Sequence, residues 1–108
     1  MGPNVEQPAG LISVLLDRTA PVEDRGEAAS DLGAREEPEA LEALVRVALD
    51  SSEDQYVLEH SGESIAEIWN RRQICDPVLV ERLAPIAREE LLLILDENLR
   101  AECLRREG

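Results

Sequence analysis

The apolar residues of this chain recur at intervals of three and four, and nowhere do they alternate with polar ones. Leu41, Leu44, Val45, Ala48 and Leu49 are the clearest case. That spacing covers one face of an α-helix, whereas a half-buried strand needs period two, so the chain is expected to be all-α with no sheet. Prolines and caps divide the pattern. Residues 1–8, with Pro3 and Pro8 and little to bury, are expected to form a flexible tail before a single domain over 9–108. A first helix is expected from about Ala9 to Arg18, and Pro21 opens a second that ends at Gly33. Pro38 opens a third. Ser51 and Asp54 resemble a capping box for a fourth, running to about Arg71 and burying Tyr56, Val57, Ile65, Ile68 and Trp69. Asp76-Pro77 pairs an N-cap acceptor with a proline at the first helical position, and Pro85 kinks or ends the helix it starts. A last helix is expected from about Arg88 to Arg105. Its run Leu91-Leu92-Leu93-Ile94-Leu95 covers the whole circumference, which favours packing on two sides over an exposed patch.

The segments repeat. At an offset of 33, Leu16-Asp17 aligns with Leu49-Asp50, Arg25 with Leu58, Ala28-Ala29 with Ser61-Gly62, and Leu32-Gly33 with Ile65-Ala66. An insertion near 70–75 then lengthens the offset to 39, where Glu37-Pro38 pairs with Asp76-Pro77 and Leu41 with Val80. Periodic helix pairs with small residues at close crossings and a proline opening each second helix describe an α-solenoid. The stretch from Val22 to Gly33, followed by Glu37-Pro38-Glu39-Ala40-Leu41, resembles a HEAT repeat of the short bacterial kind, over about residues 10–90. The resemblance implies a short right-handed α–α solenoid of HEAT-like antiparallel helix pairs, about five to six helices in all. It also implies a binding scaffold rather than a particular activity.

Charge narrows the partners. The chain of 108 residues carries a net −13, and residues 21–67 hold 14 acids against Arg25, Arg35 and Arg46. Phosphate contacts need clustered basic residues, so neither nucleic acid nor an anionic membrane surface is an expected partner. At 44% hydrophobic, the sequence is too apolar for a disordered acidic tail. Glu59, Glu63 and Glu67 stack at four-residue spacing on the fourth helix, and Glu23, Glu27 and Asp31 do the same on the second. Each adjacent like-charge pair costs a helix roughly 0.2–0.5 kcal/mol. The expected partner-binding residues are Asp31, Asp50, Glu53, Asp54, Glu59, Glu63 and Glu67, facing a basic protein surface. The competing reading is a solvated face, as charge runs usually are.

Catalytic chemistry is not expected. His60 is the only histidine, and a triad with Glu63 and Ser64 on one continuous helix would rarely meet in a protected pocket. No calcium loop, phosphate loop or dinucleotide fingerprint is present, so neither a cofactor nor a metal is expected. Cys75 and Cys103 belong to no CxxC or Cys/His cluster and read as two reduced thiols in a cytoplasmic protein. Arg71-Arg72 is expected to bridge acids of the domain rather than bind phosphate. No signal peptide, membrane span or lipidation box is read from the sequence. Arginine as the sole basic residue type besides His60, with abundant Ala and Leu, reflects coding bias and points to a bacterial source.

The expected function is therefore a non-catalytic acidic protein-binding module. Its most concrete form is a bacterial immunity or antitoxin protein that blocks a basic toxin domain by mimicking its anionic substrate. The alternatives are a HEAT-like accessory subunit related to the phycobilin lyases, bound to an enzyme, and a scaffold self-associating through the Leu91–Leu95 helix.

Overall fold

A computed structural model describes residues 7–105. Within them lie seven α-helices and no strand: α1 Ala9–Leu16, α2 Val22–Leu32, α3 Pro38–Ala48, α4 Gln55–Arg72, α5 Pro77–Arg82, α6 Pro85–Ile94 and α7 Glu97–Leu104. All of the tail expected over 1–8 except Gln7 and Pro8, and residues 106–108 at the other end, fall outside the described residues.

Helix α4 is the centre, packed against α2 on one side, α6 on the other and α3 beneath. Residue pairings give the directions. Gly26 lies against Tyr56, Ser30 against His60 and Gly33 against Ser64, so α2 and α4 run parallel. Gly62 lies against Ala87, and Asn70 reaches the Ile94 carbonyl, so α6 runs parallel to α4 as well. The close approaches require small residues. A Cβ on Gly62 would strike the Ala87 backbone, and one on Gly26 would strike the Tyr56 ring. Helices α1 and α3 pack behind this layer, and Leu15, Leu32, Leu44, Ile65, Ile68 and Leu91 are fully buried members of one connected core.

The offset of 33 reappears in the turns. Asp17 Oδ1 accepts from the Thr19 amide and hydroxyl, and Asp50 Oδ1 accepts from the Ser52 amide and hydroxyl. The backbone bonds match too, Ala20 N to Asp17 O and Glu53 N to Asp50 O, both 3.0 Å. Each aspartate stops its helix by giving the turn's orphan donors an acceptor. These bonds also explain why Ser51 is not the cap expected for the fourth helix: Asp54 is, its carboxylate accepting from the Tyr56 amide at 2.8 Å.

Two expected helices change. Helix α5 ends at Arg82, so of the kink or end expected at Pro85 the structure has the end, and Pro85 itself starts α6, ahead of the start expected near Arg88. The long last helix is two, because Leu95 and Asp96 turn extended between α6 and α7. Asn70 holds this break, donating to Ile94 O at 3.0 Å and accepting from Asp96 N at 2.8 Å. A consequence is that the apolar run is sealed on one side only. Leu91 and Leu95 are buried, whereas Leu93 is 72% exposed and Ile94 40%. Tyr56, expected inside, is also exposed, with its ring edge-on to His60.

Candidate interaction surface

The parallel layer α2–α4–α6 turns one face outward, and acids at four-residue spacing fall on it. Glu23, Glu27 and Asp31 are exposed on α2, and Glu59 and Glu67 are exposed on α4 with Glu63 half-buried between them. Because the helices run side by side in one direction, these are adjacent rows. Glu90 on α6 extends them. Its carboxyl lies beside that of Glu63, and burial together with this second carboxyl pushes Glu63 above its ordinary carboxylate range, against the opposing pull of His60. His60 Nδ1 lies 3.0 Å from Ser30 Oγ and 3.8 Å from Glu63 Oε1.

Arginines do not relieve this face. Arg18 pairs with Asp50 and Glu53, Arg25 with Glu53, Arg35 with Glu37, and Arg71 and Arg72 with Glu36. Arg88 and Arg100 donate to backbone carbonyls. Among the described residues, no arginine ion pair reaches Glu23, Glu27, Asp31, Glu59, Glu63, Glu67 or Glu90. The contacts of Arg71 and Arg72 with Glu36 are the bridging of acids that the sequence suggested, and Arg71 also donates to Gly33 O at 2.8 Å and to Arg35 O, closing the end of α2.

Of the seven residues expected to contact a partner, Asp31, Glu59, Glu63 and Glu67 therefore share this face, and the other three serve the second turn. Asp54 is exposed but caps α4. Asp50 holds Ser52 and pairs with Arg18 at 3.0 Å, contacts that keep its carboxyl below its ordinary range. Glu53 is the correction. Its side chain is 4% exposed, and both its oxygens meet Arg25, at 2.8 and 2.7 Å. The hydrogen bond from Arg25 outweighs burial and keeps the Glu53 carboxyl below its ordinary range. Sequence spacing places Glu53 in a run of acids, and only the long-range pairing with Arg25 withdraws it. Glu90, conversely, is invisible to sequence spacing, because it reaches Glu63 only once α6 lies beside α4.

A triad does not assemble at His60. Ser64 Oγ points away from it and donates to Ala29 O at 2.7 Å, tying α4 to α2. Among the described residues, no group of three or more His, Cys, Asp or Glu side chains is placed to hold a metal ion, and no helix is long and apolar enough to cross a membrane. Comparison with protein-family models, curated proteins and solved structures finds no match.

Proposed function

We propose that this chain is a non-catalytic protein-binding module that presents the outer face of α2, α4 and α6 to a basic protein surface. One observation carries the reading: two adjacent acidic rows and Glu90 stand without an arginine, while Arg18, Arg25, Arg35, Arg71 and Arg72 are engaged with acids elsewhere. Left unpaired, such rows raise the association rate of a cationic partner and repel an anionic one. The parallel layer, the helices behind it and the turns matched at 33 residues support a HEAT-like solenoid as the scaffold. In its most specific form the partner is a basic toxin domain and this chain its bacterial, cytoplasmic immunity protein.

The test compares two sets of charge reversals. Glu59→Arg, Glu63→Arg and Glu67→Arg together are expected to abolish retention of the basic partner, and Glu39→Arg with Glu42→Arg on α3 to preserve it. Wild-type affinity should fall steeply between about 50 and 200 mM salt, where surface charges are progressively screened. Salt-independent binding, or equal loss in both sets, overturns the proposal.

A second reading draws on Leu93 and Ile94, whose exposure at the end of α6 suits self-association. Sedimentation of a monomer at high concentration excludes it.

A further inference from the structure

Cys75 and Cys103 are remote in sequence, but the fold brings them together. Cys75 lies in the connection between α4 and α5, just before the Asp76-Pro77 start of α5, and Cys103 occupies the last turn of α7. Helices α5 and α7 pack against each other, and Pro77, Val80 and Cys103 line one hollow of about 310 Å³. The Cys103 thiol lies beside the Cys75 thiol and the Asp76 amide. Both cysteines are free, Cys103 buried and Cys75 partly exposed. Helix α7 itself is weakly held: it has eight residues and buries only Leu99 and Cys103.

We infer that Cys75 and Cys103 form a reversible thiol-modification site, which a low-molecular-weight disulfide converts into an intramolecular bridge clamping α7 onto the start of α5. The site is independent of the acidic face. The partly exposed Cys75 reacts first. As thiolate it attacks one sulfur of the external disulfide, forming a mixed disulfide and releasing the other half as thiolate. Cys103 then gives up its proton and attacks the Cys75 sulfur, expelling the second thiolate. Two electrons pass from the protein dithiol to the external disulfide, and two small thiols leave. The order follows from the setting, since burial and the neighbouring Cys75 thiol raise Cys103 to about 12 and keep it a poor initial nucleophile. The hollow at Cys103 gives the leaving thiol a way out.

Oxidised glutathione is the probe, and the full chain is the substrate. Intact mass and peptide mapping should show wild type losing two hydrogens, with both cysteines resisting alkylation until reductant is added. The bridge shortens the accessible unfolded chain, so the oxidised form should melt on the order of 10 °C above the reduced one. Cys103→Ser should stop at a glutathione adduct on Cys75, and Cys75→Ser should leave Cys103 unmodified. Wild type that stops at the mixed disulfide, keeps two free thiols or links between chains overturns the proposal, and the wild-type measurement decides this even if a variant folds poorly.

Discussion

The two junctions between successive helix pairs solve the same problem with opposite chemistry. At the first, the end of α1 leaves the Leu15 carbonyl without a helical donor. Arg25 supplies one from its Nε at 2.9 Å while its other nitrogens grip Glu53 in the second turn. At the second, the equivalent carbonyl 33 residues on, Ala48 O, accepts from the Ala84 backbone amide at 2.8 Å, and the residue equivalent to Arg25 is the buried Leu58. One seam is a buried ion pair and the other is apolar with a backbone bond. The ion pair can fail in a way the apolar seam cannot, because removing one partner strands a charge away from water.

The largest expected effect exploits that asymmetry. Arg25→Ala or Glu53→Ala should each cost about 3–5 kcal/mol in urea unfolding, whereas Arg25→Leu combined with Glu53→Met, copying the apolar seam, should recover most of it. A double variant no better than either single would mean the pair does more than neutralise itself. Next is the crossing of α4 and α6. Gly62→Ala drives a methyl into the Ala87 backbone and should cost about 1–3 kcal/mol by thermal melting. Gly26→Ala meets only the movable Tyr56 ring and should cost less.

Ser61 sharpens the comparison from the other side. It occupies the position of Ala28 in the first pair, is fully buried, and its hydroxyl has no hydrogen-bond partner. Ser61→Ala should therefore stabilise by about 1 kcal/mol.

Acid separates the buried from the exposed carboxylates. Glu53 is held below its ordinary 4.5, so its stabilising contribution is present above that value and is lost as pH falls through the lower folded-state value. Acid titration of the Arg25→Leu, Glu53→Met variant should lack that part of the loss. Glu63 is raised, so the sign reverses: its contribution is full below 4.5 and lost as pH rises through the folded-state value. Glu63→Gln should raise Tm by about 1–3 °C at pH 7 and bring no gain near pH 3, the smallest effect of the series.

Local chemistry in the sequence announces much of this fold. Pro38 and Pro77 start α3 and α5 where proline costs nothing, and the aspartates at 17 and 50 follow the ends of α1 and α3 with matching side-chain bonds. Long-range pairing is what local pattern cannot carry. The break at Leu95–Asp96 depends on Asn70, a residue in another helix, and the apolar run conceals it. Similarly, Glu53 reads like its acidic neighbours until Arg25 arrives from the first helix pair. The outer rows on α2 and α4 are legible because four-residue spacing alone defines them, but their adjacency depends on α2 and α4 being parallel.

That parallel arrangement has an electrical consequence. Backbone dipoles in antiparallel helices largely cancel, whereas in α2, α4 and α6 they add, giving the layer a positive end at Val22, Gln55 and Pro85 and a negative end at Leu32, Arg72 and Ile94. Arg71 sits at the negative end on the Gly33 carbonyl and offsets only part of it. A cationic visitor would therefore meet a polarity along the helices as well as a charge, and so a preferred way round in which to land.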